Sequence, residues 1–140
     1  MANFKKNLLN NLKNTYCRLR KSKKNNIGVF AIRNIPKNVN PFLNYGKEKW
    51  LKVEEKEIAV LPKEVIKMLK QFYTNDNGYY QIPYHGLNGN DISFYVNHSY
   101  RPNMITKDDG LNFVTKRAIK KGEELLVDYR TYDPNDEAVS

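Results

Sequence analysis

The stretch with the clearest chemical potential is FYVNHSYRPN, at residues 94–103. Its apolar start predicts a buried segment, and Asn97, His98 and Ser99 follow directly with three hydrogen-bonding side chains. A Pro-Asn pair then predicts a turn. Such side chains can hold a polar ligand, but an isolated cluster of this kind more often satisfies its own loop backbone. A binding site is indicated only if other segments accompany the cluster.

Two other segments do accompany it. The cluster resembles the N-H-S-x-x-P-N signature of SET-domain protein-lysine methyltransferases. IGVFAIRNIP at residues 27–36 resembles the first cofactor strand of that family, and KGEELLVDYR at residues 121–130 resembles its closing segment. The three matches follow the family's order and cover roughly residues 16–132. The chain resembles the small members that lack a zinc-binding C-terminal cap.

The resemblance implies a fold and a domain organisation. We expect a mostly β (α+β), SET-like fold of small curved sheets with one inserted helix and a C-terminal pseudoknot. In the pseudoknot the N-H-S segment lies under the closing segment, which would bring Asn97, His98 and Tyr129 around one pocket. A basic N-terminal arm would occupy residues 1–15, and the catalytic domain would occupy residues 16–140.

The cofactor implied by the resemblance is S-adenosylmethionine, whose adenine and amino-acid ends need fixed donors and acceptors. Gly28 would let the strand backbone approach the cofactor because no Cβ intervenes, and Phe30 would pack beneath it. For His98 the alternative is a structural histidine bonded to a backbone carbonyl. The residues expected to bind the cofactor are Asn26, Ile27, Gly28, Phe30, Asn97 and His98.

The sequence departs from the family pattern at two positions. Asn26 stands where glycine is common, and we expect the turn to survive because asparagine tolerates a left-handed backbone. Tyr100 stands where many members carry a zinc-binding cysteine. Cys17 is the only cysteine in the chain, and His85 and His98 are the only histidines, so we expect no metal site.

Tyr129 is the residue expected to be catalytic. Methyl transfer from a sulfonium to an amine is an in-line displacement, so the protein must align the two groups and exclude water. The amine must be neutral, and an apolar channel beside a sulfonium would lower its pKa from the ordinary lysine value near ~10.4. A tyrosine with an ordinary pKa near ~10 would position these groups without acting as a strong base. Without the flanking match, Tyr129 would simply end a core strand.

Two other tyrosines are expected to bind the substrate. Aromatic faces suit a lysine ammonium that passes down a narrow channel. Tyr132, three positions past Tyr129, and Tyr84 are the candidates. We expect most of the remaining tyrosines to be ordinary core residues.

The elements that must position these residues are short. A helix is predicted from Pro62 to about residue 73 because apolar residues recur there on one face, and an amphipathic helix is predicted at residues 2–14. Other predicted features are strands at residues 16–22, 28–34, 39–44, 79–83, 104–107, 111–117 and 125–129, a helical turn at 91–96, and irregular structure with a possible short strand at 50–60. The lack of a βαβ rhythm favours small curved sheets.

Composition limits the classes of function. A chain of 140 residues fits one domain, and no apolar run could span a bilayer, so we expect an intracellular protein of cytoplasm or nucleus without membrane contact. The net charge of +9 is concentrated in residues 1–24, which hold eight Lys/Arg and no acid. Such an arm contacts nucleic acid or another polyanion, or is merely a solvated tail.

The function predicted from these observations is transfer of a methyl group from S-adenosylmethionine to a lysine side chain of a protein, with a histone as candidate substrate. Its partners would be a protein with a basic lysine-containing segment, nucleic acid through residues 5–24, and a second copy of the chain if the channel needs completing. The alternative is a catalytically inactive SET-like module that binds chromatin or nucleic acid. A plain basic nucleic-acid protein is a third hypothesis, disfavoured by the few aromatics among the basic residues of the arm.

Overall fold

The computed structural model describes residues 2–42, 50–84, 86–107 and 112–131. Within these ranges the elements are α1 (Ala2–Lys13), β1 (Cys17–Lys21), β2 (Ile27–Ala31), β3 (Trp50–Glu54), α2 (Glu55–Ile58), α3 (Lys63–Phe72), β4 (Tyr79–Pro83), β5 (Asn97–His98), β6 (Met104–Lys107), β7 (Asn112–Thr115) and β8 (Leu126–Val127). Short 3-10 helices lie at Gly86–Gly89, Ile92–Tyr95 and Tyr129–Thr131. The fold is mostly small two-stranded sheets with few helices, as the sequence predicted.

The chain divides into two compact units. The split unit consists of Met1–Tyr45 and Tyr95–Ser140, and the inserted unit is Gly46–Phe94. Asn97, His98 and Tyr129 all belong to the split unit, so the candidate site is built there.

Three ladders form the sheets of the split unit. β1 and β2 pair antiparallel, from Cys17 opposite Ala31 to Lys21 opposite Ile27, which is the predicted hairpin. β6 pairs antiparallel with β7, and β5 pairs parallel with β8. The segment before β8 is also bonded to β2, with the Leu125 amide donating to the Val29 carbonyl at 2.8 Å. Successive parts of the closing segment therefore bond first to β2 and then to β5.

The core of the split unit is made of small and medium apolar side chains. Its fully buried members come from β2, the closing segment and the segments that pack on them, because each two-stranded sheet has one apolar face to cover. They are Cys17, Val29, Ala31, Ile35, Val96, Met104, Ile119, Leu125 and Val127.

The strand predicted at residues 39–44 does not form in its described part, residues 39–42. Residues 43 and 44 lie outside the described ranges. Asn38 takes a left-handed backbone with φ of 65°, which turns the chain before a strand could start. The buried Thr115 then fixes this turn, since its hydroxyl donates to the Pro36 carbonyl at 2.7 Å and accepts from the Val39 amide at 3.0 Å.

In the inserted unit a hairpin packs with two helices. β3 and β4 pair antiparallel, from Trp50 opposite Pro83 to Glu54 opposite Tyr79. β3 is the possible short strand within the segment predicted to be irregular at residues 50–60, and it gains its hydrogen bonds from β4, a partner that local sequence cannot reveal. Its core comprises Ile58, Leu69, Tyr73 and Tyr80, with partly buried apolar side chains around them.

Helix α3 confirms the predicted helix within one residue at each end. Pro62 stands at its N-cap, and the Tyr73 amide closes its last turn by donating to the Leu69 carbonyl at 2.8 Å. The Tyr73 hydroxyl donates to Oδ1 of Asn90. Burial, and then the nearby Asp91 carboxylate, raise the pKa of Tyr73 to about 12.

Candidate active site

The N-H-S segment and the closing segment are joined by backbone and side-chain bonds. β5 pairs Asn97 with Leu126 and His98 with Val127 in a parallel ladder. The Ser99 amide extends the pairing by donating to the Val127 carbonyl at 3.0 Å. Residues about 30 positions apart in sequence are thereby held side by side, which is the juxtaposition that the resemblance implied.

Asn103 locks the end of this pairing. Its Nδ2 donates to the Glu124 carbonyl and its Oδ1 accepts from the Leu126 amide, both at 2.8 Å, and the residue is 3% exposed. A buried amide that satisfies two backbone groups at once acts like an extra strand residue. The last residue of the N-H-S-x-x-P-N signature is therefore structural here.

The Asn97 side chain points into a polar network. Its Nδ2 donates to Oε2 of Glu124 at 2.8 Å and to the Ile27 carbonyl at 3.1 Å, and Oγ of Ser22 lies at 3.3 Å. The Ser22 hydroxyl in turn lies 2.8 and 2.9 Å from the two carboxylate oxygens of Glu124. Both Asn97 and Ser22 are buried, so these bonds are shielded from water.

Gly28 is required in this network for a steric reason. A Cβ built on Gly28 would stand 2.3 Å from Oε2 of Glu124 and 3.0 Å from Nδ2 of Asn97. The space that a side chain would fill is therefore occupied by a carboxylate of the protein itself. The absence of a Cβ has this structural explanation whether or not a cofactor also approaches the strand.

The other residues of the predicted cofactor strand lie at the start of β2. Asn26 and Ile27 are exposed, and Phe30 is half-buried with the Arg20 guanidinium 5.8 Å from its ring centroid. The described non-glycine residues with a left-handed backbone are Asn38 and Asn77, so Asn26 does not need that conformation. The hairpin closes instead through the Ser22 amide, which donates to the Asn26 carbonyl at 3.3 Å.

His98 is held through Nδ1, and its Nε2 lacks a hydrogen-bond partner within the described ranges. The Tyr129 amide donates to its Nδ1 at 3.1 Å, so a neutral His98 carries its proton on Nε2. Nε2 is buried and has no hydrogen-bond partner among the described residues. A buried donor without an acceptor costs roughly 1–3 kcal/mol, a cost that a bound acceptor would remove.

Tyr129 lies beside His98, as expected. The ring centroids are 5.2 Å apart, and the Tyr129 hydroxyl donates to the Val96 carbonyl at 2.6 Å. Because its proton is donated to this carbonyl, the phenol oxygen is fixed in place.

An ion pair lies at the end of the closing segment, between Asp128 and Arg130. The Arg130 guanidinium is hydrogen-bonded to Asp128, with its Nη2 2.5 Å from Oδ2, and lowers the pKa of that carboxyl to about 2. The same guanidinium stacks 4.5 Å from the Tyr100 ring centroid, and Tyr100 meets His98 edge-on at 4.6 Å. Tyr100 is therefore part of an aromatic wall beside His98, in place of a metal-binding cysteine.

The two predicted substrate residues lie outside the described part of the split unit. Tyr84 follows β4 in the inserted unit and is 74% exposed. Tyr132 lies outside the described residues. Across the described ranges no group of three or more His, Cys, Asp or Glu side chains could hold a metal ion, and no helix there is long and apolar enough to cross a membrane.

Sequence reasoning missed the roles of Ser22, Asn103 and Glu124. Ser22 and Glu124 are 102 positions apart, and no local pattern predicts that they share a hydrogen bond. Asn103 and Glu124 did lie within the matched motifs, and that membership was the available signal. Their partners are backbone groups and side chains that only the folded chain brings near.

Comparisons with known proteins agree with this geometry. The family model described as the SET domain matches residues 47–130, which is more than half of the chain. The search of curated proteins gave no significant match. A solved candidate histone methyltransferase of Plasmodium falciparum is similar with a TM-score of 0.51 and 20% identity, over 82% of this chain and 93% of that one.

Two structures of the Polycomb Repressive Complex 2 of Chaetomium thermophilum are also similar. One is a humanized mutant bound to the inhibitor GSK126, with a TM-score of 0.52 and 20% identity over 85% of this chain. The other is an autoinhibited form bound to S-adenosylmethionine, with a TM-score of 0.54 and 20% identity over 86% of this chain. This chain spans 15% and 16% of the length of those two chains. At such identities the likeness concerns the fold, and together with the family match it establishes that the chain belongs to the SET domain family.

Proposed function

We propose that this protein is an S-adenosylmethionine-dependent protein-lysine N-methyltransferase. The observation that carries the proposal is the meeting of Asn97, His98 and Tyr129 at the paired N-H-S and closing segments, with Tyr129 bonded to both Val96 and His98. Family membership supports the proposal, as does the similar fold of a complex solved with S-adenosylmethionine bound.

The residues present fit a polar cofactor at this place. The buried Nε2 of His98 lacks an acceptor among the described residues, and a bound molecule with a carbonyl or ring nitrogen would supply one. Asn97 and the exposed Asn26 and Ile27 lie on the segments that meet there, and Phe30 offers a half-buried aromatic face. When bound, S-adenosylmethionine would supply an electrophilic methyl group on a sulfonium.

The role proposed for Tyr129 is to hold the acceptor amine in line. The Val96 carbonyl accepts from its hydroxyl, which fixes the phenol beside His98, where it can orient the amine for in-line attack. The His98 ring lies beside it at 5.2 Å between centroids, and Tyr100 meets His98 edge-on. The lysine itself must arrive neutral or lose its proton to solvent, because Tyr129 is not placed as a base.

A histone or a similarly basic protein is the proposed substrate class. The similar Plasmodium structure is described as a candidate histone methyltransferase, which makes histones the first substrates to test. Tyr84 and Tyr132 remain proposed substrate contacts.

The test is incubation with methyl-labelled cofactor and a panel of histones and ribosomal proteins, followed by mass spectrometry of modified lysines. We expect label on a lysine with the wild-type chain and at least about 10²-fold slower transfer with Tyr129→Phe, because one positioned hydroxyl is lost. A matched control is Tyr16→Phe, on the half-buried Tyr16 stacked under Arg33, which should leave the rate unchanged. No transfer to any lysine in the panel would count against the enzyme.

A second candidate function is binding of a polyanion, such as nucleic acid, by the N-terminal segment. All eight basic residues of residues 1–24 are exposed, and none forms an ion pair with another described residue. Free cations on α1 and β1 favour release of counterions on contact with phosphates.

The salt dependence of DNA affinity distinguishes a dedicated binding surface on the N-terminal segment from a general attraction by the protein's positive charge. Arg18→Gln combined with Arg20→Gln should weaken binding and flatten the slope of log affinity against log salt by roughly 2, because about one counterion is released for each phosphate contact. The same change at Lys63 and Lys67, two exposed cations on α3, is the matched control. Equal losses from both pairs would refute a dedicated surface.

A further inference from the structure

The carboxylate of Glu124 contacts two regions that are distant from it in sequence, the β1–β2 hairpin and β5. It accepts from Ser22 at the end of β1 and from Asn97 in β5, and it fills the space in front of Gly28 in β2. Two of these segments, β2 with the turn before it and β5, carry the predicted cofactor residues. One side chain therefore ties together the whole face on which the cofactor is expected.

The first effect of this carboxylate is on the orientation of the Asn97 amide. Nδ2 faces two acceptors that cannot donate, the Glu124 carboxylate and the Ile27 carbonyl. A flipped amide would place Oδ1 against both of these oxygens, so only one orientation is compatible with the network. Glu124 thus determines which edge of Asn97 is directed away from the network.

The second effect is on the end of the β1–β2 hairpin. Ser22 is bonded to Glu124 through its hydroxyl, and the Lys24 amide donates to Oγ of Ser22 at 3.0 Å. The Ser22 amide donates to the Asn26 carbonyl. Fixing Ser22 therefore fixes the turn that leads into Asn26 and Ile27.

We infer that Glu124 is a positioning residue that holds Asn97 and the β1–β2 turn in the arrangement that binds the cofactor. This inference rests on the proposed function. Preorganised groups bind more tightly because they are not ordered at the moment of binding. Loss of the carboxylate should weaken cofactor binding with little effect on the substrate protein.

The variant Glu124→Gln is a close test, because it keeps the size of the side chain, removes its charge and replaces one of its two acceptor oxygens with a donor. The matched control is Glu123→Gln, a neighbouring carboxylate paired with Arg117 at 3.0 Å near the surface. If Glu124→Gln reduces folding, Ser22→Ala provides a milder test by removing one donor to the same carboxylate.

The measurements are the Kd for S-adenosylmethionine by calorimetry, the KM for a methyl-accepting histone, and the Asn97 side-chain NH₂ resonances in nitrogen-edited spectra. We expect Glu124→Gln to raise the Kd about tenfold or more, which corresponds to the loss of about one hydrogen bond. Ser22→Ala should raise the Kd about threefold, and Glu123→Gln should change it less than twofold. The KM should stay within twofold, and the Asn97 NH₂ resonances of the free protein should shift only on loss of Ser22 or Glu124.

The two ideas fail in different ways. A wild-type chain that binds no S-adenosylmethionine would refute the proposed methyltransferase. A wild-type chain that binds it, with a Glu124→Gln variant that binds equally well, would overturn the positioning role alone. Unchanged Asn97 resonances in Glu124→Gln would overturn it as well, even in the absence of cofactor.

Discussion

Replacing Gly28 with alanine would place a methyl group against the Glu124 carboxylate. The new Cβ would stand 2.3 Å from Oε2, about 1 Å inside ordinary contact, so one of the two must move. The backbone of β2 is held by its ladder with β1, whereas the carboxylate is the end of a flexible side chain. We expect the carboxylate to move by about 1 Å, which would break its bonds with Ser22 and Asn97.

The magnitude follows from the bonds that are lost. Hydrogen bonds to a charged group contribute about 1.5–3 kcal/mol each, and the lower value applies because the half-buried Glu124 regains some water. Two such bonds give about 3 kcal/mol. A glycine-to-alanine change in a strand otherwise stabilises by about 0.5–1 kcal/mol. The net expectation for Gly28→Ala is a loss of about 2 kcal/mol in the free energy of unfolding.

A double-mutant cycle with Glu124→Ala isolates this effect. Without the carboxylate the closest remaining atom is Nδ2 of Asn97 at 3.0 Å, a smaller conflict, so Gly28→Ala should then stabilise by at most about 0.5–1 kcal/mol. The assay is urea unfolding of the wild type, both single variants and the double variant, followed by circular dichroism. The predicted coupling between the two positions is about 3 kcal/mol.

The result that refutes this reasoning is specific. If Gly28 were needed only so that a cofactor could approach, Gly28→Ala would leave the cofactor-free protein as stable as the wild type or more stable. Equal effects of Gly28→Ala with and without Glu124 would have the same meaning. Either outcome would remove the steric explanation of the glycine.

Three further predictions concern the rest of the chain. Asn103→Ala should lower the free energy of unfolding by about 2–4 kcal/mol, because it removes the side-chain partner of the Glu124 carbonyl and of the Leu126 amide. Asn25→Ala, at an exposed turn, is the control in the same urea titration. Tyr73→Phe should reduce the loss of stability between pH ~10 and 12. The native pKa of Tyr73 is raised to about 12, so the stabilisation from Tyr73 is complete below the unfolded pKa and is lost as pH rises towards 12. An unchanged alkaline unfolding curve would contradict this. Asp128→Asn should remove a stabilisation that is present above pH ~4 and is lost as pH falls towards about 2, because the native pKa of Asp128 lies below its unfolded pKa. Urea midpoints of the wild type and the variant, at neutral and at acid pH, measure this stabilisation.

Local patterns predicted the elements that owe their form to local causes. Helix α3 follows from an apolar face with Pro62 before it, and the β1–β2 hairpin follows from alternation around a polar turn. The prediction failed at residues 39–42, where Thr115 engages Pro36 and Val39 from 76 or more positions away. At β3 it gave only a possible short strand within an irregular segment, because that strand depends on β4. In both places the decisive partner is distant in sequence, and no periodicity records it.

The site shows the same division. The motifs indicated which segments come together, and the parallel pairing of β5 with β8 confirms that they do. They did not reveal that the Asn97 amide is directed at Glu124, or that Nδ1 of His98 accepts from the Tyr129 amide. Side-chain direction within a motif depends on the packing of all its neighbours, so a match in sequence leaves it open.

The network also bears on whether motif matches distinguish an enzyme from an inactive module with the same fold. Gly28, Asn97 and Glu124 contact one another, and Asn103 bonds to the closing backbone, so each would be retained by any chain that needs this pairing, whether or not it transfers methyl groups. The Tyr129 hydroxyl likewise has a structural partner in the Val96 carbonyl. Among these site residues, the buried Nε2 of His98 is the group whose cost the described fold does not offset. A chain that keeps only the fold does not need the buried Nε2 donor of His98, whereas a chain that binds the cofactor does. His98 therefore distinguishes a retained function from a retained fold better than Gly28 or the asparagines do.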